Sequence, residues 1–368
     1  MAMPQILDDA QIEAAIAAQQ TTSHGTGSDA DGNDPPVSDP EWRFVRHLGS
    51  AVDPLVDALQ NVDGRLMWGI RDIDVMMRGV GDGDLCFVTG RAHSGKTQLV
   101  MQAICNNAHG RFILFTPDEM AELVLMKLAA IMRGLNPEDV EQAIKAGDND
   151  MIDTLRAVAV DDFPNLVVID EGLDFDDMGK AVMECEQYWG APTQGVFIDY
   201  LELIPGDGDH DGVTWKVQEL KRFAKSAKRP IVCLHQGKRS DRGTARGMDS
   251  MRYGGENEAT YVVEVFRKCQ DESLDAYERE AEKNTITVGV VKNKRPPSKT
   301  GYVDLHITSQ TGAIRTLQDG DGYVPPPDDG AGPTTDRASH NAAALTALKE
   351  EVSAAQPAPT PIINRPMF

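Results

Sequence analysis

The sequence predicts an α/β protein with a mostly parallel central sheet flanked by helices and antiparallel strands at one end. Three observations carry that prediction. Between residues 64 and 317, short apolar runs alternate with stretches of helical periodicity, the pattern of strands buried on both faces and joined by crossover helices. The last three runs follow one another with no helix between them, which suits antiparallel pairing. One run, 85–88, leads into Gly90-Arg91-Ala92-His93-Ser94-Gly95-Lys96-Thr97 and then into a helical stretch at 98–105, a strand–loop–helix phosphate site.

The elements follow in chain order. The chain has 368 residues, 41% of them hydrophobic, enough for one large domain or two small ones. Residues 1–40 are expected to be disordered. Positions 1–20 are acidic and alanine-rich, without the basic start and apolar core of a secretory signal, and 21–40 are rich in Ser, Gly, Asp and Pro. Trp42, Val45, Leu48, Val52, Leu55 and Leu59 recur at helical spacing, so 41–62 reads as a linker helix. It would pack on its own domain or on a neighbouring subunit. The main domain spans 63–318, with strands expected at 85–88, 112–115, 166–169, 196–198, 231–234, 261–266, 287–291 and 302–307. Residues 319–368 are acidic and Pro-rich and read as a disordered tail, with a short helix at 342–353. Its apolar tip, Ile362-Ile363-Asn364-Arg365-Pro366-Met367-Phe368, suits a docking peptide.

Composition narrows the function classes. No stretch reaches the ~20 apolar residues that span a bilayer, so no membrane role is expected. The five cysteines, Cys86, Cys105, Cys185, Cys233 and Cys269, form no C-x-x-C pair, which argues against a zinc or disulfide framework and fits a reducing cytoplasm. A formal net charge of −22 argues against a general nucleic-acid coat. Lys and Arg nonetheless crowd between 216 and 252, so a local basic face is available.

The chemistry starts at the glycine-rich loop. Residues Gly90 to Thr97 match G-x-x-x-x-G-K-[ST], whose backbone N–H groups curl round phosphate oxygens at a helix N-terminus. Lys96 would reach the β- and γ-phosphates of ATP, the Thr97 hydroxyl would ligate Mg²⁺, and Gln98 opens the helix beside them. Asp199 ends the apolar run Val196-Phe197-Ile198 and would complete the metal shell. Glu119 follows the run 112–115 at a strand end, where ligands collect in open α/β sheets, and would polarise the attacking water. Asp118 beside it suits a helix cap better. Gln236 ends the run 231–234 and would sense the γ-phosphate, while His235 reads as a satisfied histidine at a strand end.

Taken in order, the loop, Phe115-Thr116-Pro117-Asp118-Glu119-Met120, Ile198-Asp199-Tyr200-Leu201-Glu202-Leu203 and Leu234-His235-Gln236 resemble the RecA-like motor domain of DnaB-type replicative helicases. That family carries Ser-Leu-Glu-Met, Ile-Asp-Tyr-Leu-Gln and Ser-Gln at the last three places. The resemblance continues through Ser250-Met251-Arg252-Tyr253-Gly254-Gly255-Glu256-Asn257-Glu258-Ala259-Thr260 and Val291-Lys292-Asn293-Lys294-Arg295-Pro296, and covers about 64–314. It implies a RecA-like P-loop NTPase core in a homo-oligomer, a hexameric ring, that moves on single-stranded DNA. It also implies cations acting from the neighbouring subunit: Lys292 as a sensor, and Lys294 at the finger position with Arg295 adjacent. Lys lacks the bidentate fork of Arg, so Lys294 and Arg295 both stay open as the finger. The region before Trp42 is too short and polar to be the family's primase-binding domain, so primase recruitment by the usual route is not expected. A compact or phage-type version, in the host cytoplasm if phage-encoded, would suit this layout.

In RecA-like rings the loops after the Asp199 and Gln236 strands line the central channel. Here the second, 237–252, holds Lys238, Arg239, Arg242, Arg246 and Arg252 and no aromatic residue, which suits tracking of backbone phosphates. The first, 205–215, is acidic through Asp207, Asp209 and Asp211 and is not assigned to DNA. The helix at 216–228 sets Val217, Leu220, Phe223, Ala224 and Ala227 on one face, with Lys221, Arg222, Lys225 and Lys228 as a solvated face. The expected function is an ATP-dependent DNA helicase motor for replication, with a helicase loader or replication protein as a partner for the tail. A RecA- or RadA-like recombination ATPase forming filaments is the alternative, and a loading ATPase without motor activity is a third reading.

Overall fold

The computed structural model describes residues 48–53, 55–56, 65–208, 210–237, 257–271 and 273–318. Contacts divide the chain into Met1–Val62 and Asp63–Phe368. In the first unit the described residues include a 3₁₀ turn, Leu48–Ala51, with Leu48, Val52 and Leu55 exposed. The rest of the expected linker helix, both expected disordered ends and the helix at 342–353 lie outside the described residues.

In the second unit, nine strands among the described residues form one sheet. They are β1 (Leu85–Gly90), β2 (Phe112–Phe115), β3 (Leu166–Ile169), β4 (Gly195–Ile198), β5 (Ile231–Gln236), β6 (Tyr261–Arg267), β7 (Thr285–Asn293), β8 (Gly301–Ile307) and β9 (Ile314–Thr316). Their order is β3-β2-β4-β5-β1-β6-β7-β8-β9. The first six run parallel and the last three are antiparallel. As expected, β6, β7 and β8 are antiparallel to one another at one end of the sheet, and β6 also pairs parallel to β1. One expectation is corrected: the short helix Ala276–Ala281 lies between β6 and β7, and its six residues are too few to show a helical period in sequence. The run at 314–316 is too short to show a period and went unpredicted.

The helices are α1 (Arg71–Met77), α2 (Lys96–Asn106), α3 (Ala121–Arg133), α4 (Pro137–Lys145), α5 (Asn149–Ala157), α6 (Phe175–Trp189), α7 (His210–Ala227) and α8 (Ala276–Ala281). Both faces of the parallel strands are covered, and the side chains divide with a period of two. Cys86 and Val88 of β1 join the core under α1, α2 and α3 with Ile73, Leu99 and Val124. Leu85 and Phe87 join the core under α6 and α7 with Val182, Val217 and Leu220. Coverage on both faces is why these strands read as continuous apolar runs rather than alternating ones.

Helix α7 begins at His210, so the second half of the expected loop 205–215 is helical. Its cationic face also differs from expectation. Lys221, expected on the solvated face, donates to the Gly83 carbonyl (3.2 Å) and the Thr260 hydroxyl (3.1 Å), and Lys216, outside that face, is buried. Arg222, Lys225 and Lys228 are exposed as expected. Long aliphatic stems let lysine lie along a packed surface while its ammonium finds a polar edge.

Candidate active site

Register fixes the site. Gly90 at the end of β1 pairs with Gln236 at the end of β5, Ile198 of β4 pairs with Cys233 of β5, and Phe115 of β2 pairs with Ile198. The C-terminal ends of β1, β5, β4 and β2 therefore converge. The chain continues the pairing for one residue beyond: the Asp199 amide donates to the Phe115 carbonyl (2.8 Å) and the Gly237 amide to the Gly90 carbonyl (2.9 Å).

The loop between β1 and α2 is tight because two positions admit no side chain. A Cβ on Gly90 would lie 2.2 Å from the Val265 carbonyl oxygen and 2.5 Å from Ser94 Oγ. Gly95 has φ +97°, and a Cβ there would meet Ile286 at 2.7 Å. Arg91, Ala92 and His93 bridge them, with His93 also in left-handed geometry (φ 60°). The loop is braced from the antiparallel side, where Gln270 donates to the His93 carbonyl (3.1 Å). The helix behind it is braced too, since the Ile314 amide of β9 donates to Gln102 Oε1 (2.7 Å). Gln98 in the same helix lies against the turn at Gly312.

Lys96 curls back over the loop and donates to the carbonyls of Gly90 (3.0 Å) and Arg91 (2.8 Å). Burial lowers its pKa, and the Asp199 and Glu202 carboxylates pull it back up. The two expected magnesium ligands are adjacent: Thr97 Oγ1 donates to Asp199 Oδ2 at 2.8 Å. Asp199 is 7% exposed. Burial raises its pKa, the Thr97 hydrogen bond opposes this, and the Glu119 charge adds to it.

Glu119 approaches from the end of β2, its amide bonded to the Thr116 carbonyl (3.1 Å). One oxygen pairs with Lys127 of α3, while Oε2 is buried with no partner among the described residues. Asp118 is exposed. The Gln236 side chain hydrogen-bonds Tyr200, and its amide donates to Glu202 Oε1 (3.0 Å). That same oxygen lies 2.9 Å from Nδ1 of His235, which is wholly buried. His235 is thus a partnered strand-end histidine. Burial alone would raise the Glu202 pKa, but hydrogen bonds from His235 and the Gln236 amide outweigh it and hold the carboxyl below its usual value.

The remaining expected residues sit elsewhere. Asn293 pairs with Tyr261, which pairs with Cys86, so Lys292, Lys294 and Arg295 lie at the N-terminal edge of the parallel strands. Four residues of strand, about 13 Å, separate that level from Gly90. The structure therefore does not bring them to their own chain's loop. Arg295 pairs with Asp84 of its own chain, 2.5 Å from Nη2 to Oδ1, with its side chain 48% exposed. Lys238, Arg239, Arg242, Arg246 and Arg252 lie outside the described residues.

Sequence reasoning missed Lys127, Glu202 and Asp84. Lys127 had a signal, since it stands two helical turns past Glu119. Glu202 and Asp84 had none, because their partners are 33 and 211 positions away.

The donor set fits a nucleoside triphosphate with a divalent cation. A cradle closed to Cβ atoms leaves backbone amides as its lining. Ser94 Oγ and Gln98 Oε1 are buried without partners among the described residues, and a hydroxyl and a carboxylate lie 2.8 Å apart at its rim. The residues at this edge can bind phosphate, hold a hard cation through oxygen and offer a carboxylate to a water.

Comparison with known proteins agrees with that geometry. The family model for the DnaB-like helicase C-terminal domain matches residues 66–315. No curated protein sequence matches the chain. Among solved structures, a DnaB-like replicative helicase described with its interactions with primase is similar at 16% identity and a TM-score of 0.61, over 84% of this chain and 72% of that one. The ATPase domain of G40P is similar at 18% identity and a TM-score of 0.60, over 74% of this chain and 99% of that one. Likenesses at this identity show the RecA-like fold.

Proposed function

The chain belongs to the family of DnaB-like helicase C-terminal domains, and on that premise we propose that it is an ATP-driven DNA helicase motor acting as a homo-oligomer. One observation carries the reading. The phosphate loop, Thr97, Asp199 and Glu119 gather at one edge of the sheet, while the family's trans cations lie at the opposite edge, too far to serve their own loop. A complete hydrolytic site then needs two copies. A closed ring of six, each giving its loop edge to one neighbour and its cation edge to the other, supplies this with every contact equivalent.

In this reading Lys96 and the loop amides hold the phosphates. Thr97 and Asp199 would hold a magnesium ion, which would supply positive charge beside the phosphoryl group. Glu119 accepts a proton from the attacking water, and Lys127 orients it. Gln236 sits where it can bond the γ-phosphate, and Lys294 with Lys292 of the neighbour approach from the other side. The 237–252 segment, with Lys238, Arg239, Arg242, Arg246 and Arg252, follows Gln236 directly and would carry the movement to single-stranded DNA through phosphate contacts. A loader or replication protein bound by the tail, and action in the cytoplasm, complete the proposal. Among the described residues no helix is long and apolar enough to cross a membrane.

The test is ATP hydrolysis with and without single-stranded DNA, beside unwinding of a forked duplex, with Lys96→Ala as control. DNA-stimulated hydrolysis with Lys96-dependent unwinding supports the helicase. Stimulated hydrolysis with strand pairing and no unwinding on forks of either polarity points to a recombination ATPase. Hydrolysis indifferent to DNA points to a loading ATPase.

A further inference from the structure

The segment 292–295 at the end of β7 carries three cations, and the structure treats them differently. The Arg295 guanidinium pairs with a buried carboxylate while its side chain stays 48% exposed. Its Nε lies 3.1 and 3.3 Å from the two oxygens of Asp84, and Nη2 lies 2.5 Å from Oδ1. Asp84 is 1% exposed, and its Oδ2 also accepts the Gly81 amide (3.1 Å). Lys294 faces outward and is exposed, its ammonium 2.6 Å from the Asn257 carbonyl. Lys292 reaches the same carbonyl at 3.2 Å.

The backbone between them is tied down. The Lys294 amide donates to the Thr260 carbonyl (2.9 Å). Asn293 donates to the carbonyls of Met76 (3.0 Å) and Lys299 (3.2 Å) and accepts the Arg295 amide (2.9 Å). Arg78 holds the Pro296 carbonyl. A buried carboxylate must have a cation or lose its charge, and Arg offers the fork that spans both oxygens. With Arg295 held on Asp84 and the Lys294 amide bonded to the Thr260 carbonyl, the backbone on both sides of the Lys294 side chain is fixed.

We propose that Asp84 is a positioning residue for the trans cation: by holding Arg295 it sets the turn so that Lys294 is presented to the neighbouring subunit's nucleotide. The inference rests on the trans-cation reading above. It assigns Asp84 and Arg295 to one unit that acts through Lys294 and touches no substrate.

The experiment compares full-length Lys294→Ala, Arg295→Ala, Arg295→Lys, Asp84→Asn and the Asp84→Asn/Arg295→Ala pair. For each, kcat, KM for ATP, ATP binding and thermal midpoint are measured. Lys294→Ala should lose on the order of a thousandfold in kcat with ATP still bound. Arg295→Ala and Asp84→Asn should each lose about tenfold in kcat, as small misplacements of a reacting group do, with KM within about twofold. The pair should be no worse than either single change, and Arg295→Lys should recover part of the loss. If Asp84→Asn does not fold, the two Arg295 variants carry the same test.

Arg295→Ala as damaging as Lys294→Ala, with Asp84→Asn at or above the native rate, would make Arg295 itself the finger and overturn the inference. Lowered thermal midpoints with unchanged kcat would reduce the pair to a structural staple, which also overturns it. A fully active Lys294→Ala sinks the trans-cation reading and this inference with it. An inactive Lys294→Ala beside unaffected Asp84 and Arg295 variants sinks this inference alone.

Discussion

The two edges of the parallel sheet carry opposite chemistry. At the C-terminal edge Gly90 and Gln236 end their strands, Asp199 and Thr116 directly follow theirs, and helix α2 begins there, so backbone amides and carboxylates gather in one small volume. At the N-terminal edge Asp84 and the turn after β7 gather cations around a buried carboxylate. The first edge has side chains whose buried oxygens still lack partners, Ser94, Gln98 and Glu119. At the second edge the main buried carboxylate, Asp84, is fully paired. The difference teaches that buried oxygens without partners gather at the first edge, whereas the second satisfies its buried carboxylate from within the chain.

The strongest way to break the comparison is Lys96→Ala, which should abolish hydrolysis by at least on the order of a thousandfold. Retained turnover would mean that the C-terminal edge is not the catalytic one. Mixing Lys96→Ala with Lys294→Ala subunits sharpens the contrast. Each is inactive alone, but random mixing joins a native loop edge to a native cation edge at about a quarter of the interfaces, and activity should return to a comparable fraction. No recovery would show that the two edges do not meet between copies.

Glu119→Gln should lose on the order of a hundredfold or more in kcat with ATP binding kept, and Lys127→Met should lose less, since it orients the base without replacing it. Equal losses would make Lys127 a substrate-contacting group. The smallest effect belongs to Glu202→Gln, about tenfold in kcat, because the amide can still accept from the Gln236 backbone.

Glu202 also predicts a pH dependence. Its folded pKa lies below the usual 4.5, so its stabilising contribution is present above that value and is lost as pH falls through the folded pKa. Glu202→Gln should therefore narrow the gap in melting temperature between pH 7 and pH 3 by a few degrees. An unchanged acid profile would mean that the His235 pairing adds no pH-linked stability.

Much of the site was legible because its chemistry is local in sequence. The phosphate loop needs glycines at fixed offsets and a Lys-Thr pair at the helix start, so residues 90–97 announce themselves. Asp199 and Glu119 were legible at one remove, as acids ending apolar runs. Lys221 was misread because a helical wheel shows which face is polar but not which lysine lies along a neighbouring element. The helix Ala276–Ala281 between β6 and β7 was illegible because six residues show less than two turns of helical period.

The sequence by itself determined most of the strands, the phosphate-loop motif and the kinds of groups that motif calls for, because short-range periodicity and backbone geometry are encoded within a few residues. Only the tertiary structure paired Arg295 with Asp84, joined Glu202 to His235 and Gln236, and set the cations at the edge away from the loop. Those outcomes depend on residues up to 211 positions apart. A charge buried at such a contact takes whichever partner the fold brings within reach, and no local pattern specifies that partner.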